Sequence, residues 1–135
     1  MSVIVTDTGF APDNVTDAFS PAPAEGPLPA AFDLAPSADV TALTGRLDGV
    51  AIIRIAFPSF ADGRGFTLAR RLRLMGYGGR LRAAGHLIAD QYAMARRAGF
   101  DEVEISDDLA ARQPEPQWLY RADWRAHDYR SRLRA

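Results

Sequence analysis

Three apolar, strand-like segments alternate with two amphipathic segments between residues 50 and 106, and this order constrains the fold more than any other feature. The run VAIIRIAF at 50–57 is apolar and rich in β-branched residues, as expected of a buried strand. RLRAAG at 80–85 and DEVEIS at 101–106 alternate like two further strands. Strands that alternate with helices build parallel sheets through right-handed crossovers. The pattern therefore predicts an α/β fold, a β-α-β-α-β-α unit of two or three layers with a small, mainly parallel sheet.

The segments after the strands carry the signals of helices. The first has apolar residues at i, i+4 and i+7, namely Leu68, Leu72 and Met75. Thr67 is a candidate N-cap for this helix, and the glycines of GYGG at 76–79 end it. The spacing predicts a second helix over 86–100 and a third helix, DDLAAR, capped by Asp107.

The two ends of the chain are less regular than its middle. Six of the nine prolines lie in residues 1–39, which predicts an extended Pro-rich arm ahead of a single α/β domain at 40–135. VIV at 3–5 is a candidate for a short edge strand. Aromatic residues recur from residue 116 onward and predict a C-terminal tail that docks on the body or forms a homodimer interface: Trp118, Trp124 and Tyr129.

Composition excludes several kinds of chemistry. The chain has no cysteine, which rules out disulfides, thiolate metal sites and cysteine nucleophiles. All 16 basic residues are arginines, so no lysine is present for a Schiff base or a phosphate loop. No cofactor motif or metal cluster is apparent, and we predict neither. The chain lacks a long uncharged apolar run and a signal peptide, so we expect a cytoplasmic protein without a membrane span.

Charge is distributed in blocks along the chain. Residues 46–97 hold ten arginines against three aspartates, whereas residues 1–45 hold six acidic residues and no basic one. A basic block of this kind attracts an anionic ligand or an acidic partner surface. The net charge of −1 is unfavourable for a general nucleic-acid binder.

Two quoted stretches carry a resemblance to a known family. FPSFADGRGFTLARRLR, followed by GYGGRLRAAGHLIADQYAMARRAGFDEVEI, resembles the bacterial domain-of-unknown-function family numbered 934 over roughly residues 50–106. Members of that family are typically encoded beside assimilatory sulfite reductase and are described as probable oxidoreductases in sulfite reduction. The resemblance therefore implies a pathway, and it brings no established reaction with it.

The loop SFADGRGF at 59–66 is the strongest candidate for a ligand site. In open parallel sheets, ligands bind beyond the carboxyl ends of the strands, and this loop follows such an end. Its glycines let the backbone approach a ligand, its arginine offers a planar donor fork, and the following helix start offers free amides. The predicted oxyanion site comprises Asp62, Gly63, Arg64, Gly65, Thr67, Arg82, Asp90 and Gln91. The alternative is that Asp62 and Arg64 pair locally, within the chain or across an interface, and that the glycines serve only the turn.

Other charged residues also admit two interpretations. Arg80 and Arg82 share one face of their strand and are placed either to line a cationic pocket or to pair with Glu102 and Glu104 on the next strand. His86 and Asp90 stand at i and i+4 on the predicted second helix, a spacing suited to a general base or to a helix-start hydrogen bond.

The pair Asp90 and Gln91 resembles a dipeptide of the family. These two side chains are placed either at the ligand site or in hydrogen bonds to neighbouring loops, including the DGRG backbone.

Two functions from different classes are therefore open. The first is an accessory protein of assimilatory sulfite reduction that binds the reductase or an electron donor and has no reaction of its own. It predicts an exposed apolar or charged patch. The second is a small oxyanion-binding α/β enzyme that uses the DGRG loop and the helix N-terminus, and it predicts a concave site where Arg64, Asp90 and Gln91 converge. The lack of a nucleophile–base pair favours the first.

Overall fold

The computed structural model describes residues 2–125, which form one sheet with helices. Its strands are β1 (Ser2–Thr6), β2 (Gly9–Ala11), β3 (Ser20–Pro21), β4 (Ala31–Leu34), β5 (Ile52–Phe57), β6 (Arg80–Gly85) and β7 (Glu102–Ser106). Its helices are α1 (Arg64–Leu74), α2 (Tyr92–Ala98), α3 (Asp107–Arg112) and α4 (Glu115–Leu119), with 3₁₀ turns at Val40–Leu43 and Ala89–Gln91. None of these described helices is long and apolar enough to cross a bilayer.

The strand order in the sheet is β2-β1-β7-β6-β5-β4-β3. The five strands from β3 to β7 are parallel neighbours, whereas β1 runs antiparallel to both β7 and β2. The α/β class and the parallel β5, β6 and β7 are confirmed. A strand at residues 3–5 is confirmed, but its expected position at the sheet edge is wrong, because β1 lies between β2 and β7, where Val5 pairs with Val103.

The stretch expected to form an extended arm contributes four strands to the sheet. β4 pairs with β5 in parallel register, and its residues Ala31, Phe32 and Leu34 are buried. The surrounding prolines made this segment look irregular in the sequence, although it contains a short strand whose apolar residues belong to the core. The sheet thus extends across the boundary drawn at residue 39.

The described helices differ from the predicted ones mainly at their starts. Helix α1 begins at Arg64 with Gly63 as its N-cap, so the expectation that Thr67 caps it is wrong. The Asp62 carboxylate accepts a hydrogen bond from the Arg64 amide and starts the helix early. Helix α2 begins only at Tyr92, and it ends as predicted at Gly99, which has a left-handed φ of 116°.

The start of α3 also needs a correction. Ser106, and not Asp107, is its N-cap: the Ser106 hydroxyl accepts a hydrogen bond from the Leu109 amide at 3.1 Å. Asp107 instead supplies negative charge to the first turn, together with Asp108.

The apolar core lies between the helices and one face of the sheet. Ile53, Ile55 and Phe57 on β5 point into it, and the Phe57 ring packs on Phe66 of α1 and on Phe100 at centroid distances of 5.0 and 5.7 Å. Each parallel strand from β3 to β7 lies beside the strand that precedes it in the chain. Because parallel crossovers are right-handed, all of these connections lie on the same face of the sheet. The sheet is therefore wound in a single direction and has no topological switch point among its parallel strands.

The opposite face of the sheet carries charged side chains. Arg82 has an exposed fraction of 0% and donates to Glu102 at 2.5 Å and to Glu104 at 2.8 Å. Asp13, from the segment that crosses this face, accepts two further hydrogen bonds from Arg82. The Phe19 ring lies 4.0 Å from the Arg54 guanidinium carbon. The cross-strand ion pairs were the alternative to a cationic pocket, and this is the arrangement found.

The C-terminal segment packs on the helical layer as far as it is described. The buried Trp118 ring lies edge-on to Tyr92 at 6.3 Å, and its indole nitrogen donates to the Gln113 carbonyl. Trp124 donates to Asp7 in the turn between β1 and β2. Tyr129 of the predicted tail lies outside the described residues.

Candidate functional site

In the loop predicted to bind an anion, the arginine pairs with an aspartate of the same loop. The Arg64 guanidinium donates to both carboxylate oxygens of Asp62, at 3.0 and 2.8 Å. Hydrogen bonds from Arg64 hold the pKa of Asp62 below its usual value, and the pair raises the pKa of Arg64. The donor fork suited to an oxyanion is therefore occupied by a neighbouring carboxylate.

The two glycines of this loop have different roles. A Cβ atom at Gly65 would lie 2.4 Å from the Phe57 ring, so only glycine lets α1 pack this closely on β5. Gly63 has an ordinary φ of −87° and space for a side chain, since its nearest neighbour would be 3.9 Å away. Gly65 is thus explained by helix packing, without a ligand.

The remaining predicted site residues lie in separate environments. Gln91 donates to the Phe60 carbonyl at 2.7 Å and accepts from the Ile88 amide, so it ties the loop after β5 to the loop after β6. Asp90 pairs with Arg121 at 2.9 Å. Arg82 lies beneath the opposite face of the sheet, as described above, and Thr67 is exposed on α1.

The predicted pairing of His86 with Asp90 on one helix is wrong, because residues 86–88 precede the 3₁₀ turn and are not helical. The backbone amide of His86 donates to the Phe57 carbonyl at 2.9 Å. This bond extends the β5–β6 ladder beyond Gly85 and leaves the imidazole exposed at the end of the strands.

An open depression of about 340 Å³ lies at the carboxyl ends of β5, β6 and β7. We call its lining the strand-edge patch: Phe60, His86, Ile88, Leu109, Arg112 and Gln113. A neighbouring depression of about 270 Å³ shares His86, Leu109 and Arg112 and continues towards Ser2 on β1. The patch therefore occupies the edge where ligands of open α/β sheets are found, although the DGRG loop does not provide it.

Hydrogen bonds between the loops fix the walls of the strand-edge patch. Gln113 accepts from the Ala89 amide at 2.7 Å and thereby joins the end of α3 to the loop after β6. Gln91 secures the backbone of Phe60 from the other side. The Phe60 side chain itself is 60% exposed, so this loop presents a large apolar ring to solvent.

Comparison with known proteins places the chain in a family. A family model matches residues 31–134, and its description is a bacterial protein of unknown function, DUF934. The chain belongs to the DUF934 family. No curated protein and no solved structure matches the chain. The match extends beyond residues 50–106 and includes β4, the strand concealed by the prolines.

The strand-edge patch of this DUF934 member offers an aromatic ring, an imidazole and a guanidinium group to solvent. Within residues 2–125, no group of three or more His, Asp or Glu side chains is placed to hold a metal ion. Aromatic and arginine side chains are the types that contribute most to protein–protein binding. The patch is therefore suited to binding a macromolecular surface.

Sequence reasoning found only part of this patch. It named His86, but as a partner of Asp90, and it missed Phe60 and Arg112. Phe60 could have been noticed as a large apolar residue in the loop three residues after the end of a strand. Arg112 reaches the same edge only because α3 packs against β7 and β1, and no local signal indicates that contact.

Proposed function

We propose that this protein is an accessory protein of assimilatory sulfite reduction, which binds the reductase or its electron donor through the strand-edge patch. The pathway comes from the family resemblance of the DGRG and DQ stretches. The binding role is supported by the geometry of the patch, in which Phe60 projects from an anchored loop beside Arg112 and His86.

The exposed Phe60 is the observation that carries the proposal. Gln91 already holds the backbone of Phe60, so only the side chain loses conformational freedom when a partner covers the ring, and burial of the ring contributes to affinity. Arg112 adds a charged donor at the same edge and is exposed as well. An aromatic residue beside an arginine is a typical centre of an interface.

The oxyanion alternative has less support. Arg64 is occupied by Asp62, and Gln91 is occupied by backbone groups of Phe60 and Ile88. Titration of the protein with sulfite, sulfate and phosphate separates the two functions. We expect no response to any of these anions, whereas saturable sulfite binding that is lost in Arg64→Ala would favour the alternative.

Binding to purified sulfite reductase, and separately to its electron donor, tests the proposal. We expect Phe60→Ala to weaken the complex with one of them by about tenfold or more, as truncation of a central aromatic residue does. Tyr120→Ala is a matched control, because Tyr120 is an aromatic residue that is 79% exposed outside the patch.

Isothermal titration calorimetry gives the affinity, and circular dichroism checks that each variant is folded. The absence of a complex with either protein would overturn the proposal. An equal loss of affinity in Tyr120→Ala would move the binding surface away from the strand edge.

A further inference from the structure

The outer surface of helices α1 and α2 is a second exposed region, distinct from the strand-edge patch. We call it the helical face: Arg70, Arg71, Leu74, Met94 and Arg97, all of which are exposed. Leu74 has an exposed fraction of 82% and Met94 of 50%. Helices α1 and α2 contact each other, so these residues belong to one continuous layer.

The arginines of the basic block divide into two groups within residues 2–125. Seven donate to carboxylates or to several backbone carbonyls: Arg46, Arg54, Arg64, Arg73, Arg80, Arg82 and Arg96. The other three, on the helical face, form no ion pair in this part of the chain. Among the described residues, Arg97 donates only to the Trp124 carbonyl. The uncompensated charge of the block is thus concentrated on the helical face.

No acidic side chain belongs to either helix, because α1 reads RGFTLARRLRL and α2 reads YAMARRA. The acids at their ends are already engaged: Asp62 pairs with Arg64, Asp90 with Arg121 and Asp101 with Arg73. Asp39 lies close enough to Arg71 for their charges to interact, and its carboxylate accepts hydrogen bonds from the amide and the hydroxyl of Thr41. Within residues 2–125, therefore, no carboxylate forms an ion pair with Arg70, Arg71 or Arg97, and all three present their charge to solvent.

Apolar side chains stand within this positive field. Arg70 and Leu74 lie one turn apart on α1, and Met94 and Arg97 lie one turn apart on α2. Arginine and methionine are both enriched in protein interfaces relative to other surfaces. A solvated helix face needs neither Leu74 nor Met94, since polar residues would serve there at least as well.

We infer that the helical face docks an acidic protein surface that carries apolar side chains. Charge complementarity selects this partner, and the two apolar side chains provide contact area within it. A polyanion or a membrane fits less well: the whole chain has a net charge of −1, and two separate apolar side chains give little insertion energy. This inference goes beyond the proposed function, because it assigns a second surface that includes none of the strand-edge residues.

Two acidic probes test the inference: poly-L-glutamate, and an acidic peptide in which leucine replaces every fourth glutamate. We expect both to bind at low salt, with affinity that falls as salt is added. The variant R70Q/R71Q/R97Q is expected to bind them about tenfold more weakly, since each exposed contact contributes a modest amount. The variant R64Q/R121Q/R125Q removes the same charge from exposed arginines elsewhere and is expected to stay within about twofold of the unaltered protein.

The apolar part of the docking surface has its own test. L74S/M94S is expected to reduce the affinity for the leucine-containing peptide to that for poly-L-glutamate, and to leave the latter unchanged. Equal losses in the two arginine variants would overturn the inference. Stronger binding of duplex DNA or phosphatidylglycerol vesicles than of either peptide would replace the acidic protein with another partner. None of these variants alters Phe60 or Arg112, so failure here is separate from failure of the proposed function.

Discussion

Strands β5 and β6 present Ile53 and Leu81 on one face of the sheet and Arg54 and Arg82 on the other, although all four residues alternate along the same two strands. The first face is covered by helices and holds aromatic and aliphatic side chains. The second is crossed by the irregular segment between β2 and β3 and holds ion pairs. Parallel sheets usually bury apolar residues on both faces.

The difference between the faces follows from the strand order. Because the parallel strands are added in one direction, the crossovers place their helices on a single face. The other face receives no helix, and its charged residues must satisfy one another. Arginines on β5 and β6 do this by pairing with carboxylates on β4 and β7, with Asp13 and Phe19 as the outer layer.

Among these predictions, substitution of Arg82 on the charged face should lower the free energy of unfolding most. Arg82→Ala leaves the buried Glu102 with Arg80 as its remaining partner, and we expect a loss of about 3 kcal/mol in the free energy of unfolding, the lower end of the cost of breaking a buried ion pair. Urea denaturation measures this loss. Ile53→Val on the apolar face is the comparison and should cost about 0.5–1.5 kcal/mol. A cost for Arg82→Ala below that of Ile53→Val would show that solvent already compensates the charges.

Substitution of Gly65 tests the apolar face through its tightest contact. Gly65→Ala places a methyl group 2.4 Å from the Phe57 ring, and overpacking of this kind should cost about 1–3 kcal/mol of unfolding free energy. Gly63→Ala is the matched control, because its methyl group meets nothing closer than 3.9 Å. Thermal unfolding of the two variants measures this difference. Equal melting temperatures would contradict the close packing at Gly65.

The smallest expected difference between the two faces is in how their variants change the pH dependence of stability. Hydrogen bonds from Arg82 lower the pKa of Asp13 from its ordinary value of 3.8. A lowered pKa in the folded state adds stability above the unfolded-state value, and this stability is lost as the pH falls through the folded-state value.

Asp13→Asn removes this titration and should flatten part of the acid limb of the unfolding curve. Urea midpoints measured between about pH 5 and about pH 2 detect the change. Ile53→Val, which removes no titrating group, should shift the whole curve without altering its shape. An acid limb that is identical in Asp13→Asn and the unaltered protein would mean that the remaining carboxylates of this face dominate.

Local patterns explain which features were predictable. The run at 50–57 and the helical spacing of Leu68 and Leu72 depend on neighbouring residues alone, and β5 and α1 follow them closely. The two-residue strand β3 and the strand β4 were obscured among the prolines, because their backbone hydrogen bonds come from strands farther along the chain. Backbone pairing carries little sequence information, so a short strand is recognised only through the sheet that receives it.

The candidate site shows the same division. The chain order placed loops at the carboxyl ends of the strands, and His86 lies there as a consequence. Which arginines face solvent could not be deduced, since a guanidinium group is neutralised by whichever carboxylate the fold brings near it. Arg64 pairs with Asp62, which is two residues away in the sequence, whereas Arg96 pairs with Asp7, which is 89 residues away.

The sequence alone determined the α/β class, the parallel core strands and the glycine-terminated helices, because periodicity and backbone conformation are local properties. The tertiary structure decided the rest. It placed β1 beside β7, held Arg82 among carboxylates from two other segments, and brought Arg112 to the edge occupied by Phe60. Those outcomes depend on burial and on charge compensation between distant segments, which are properties of the folded chain as a whole.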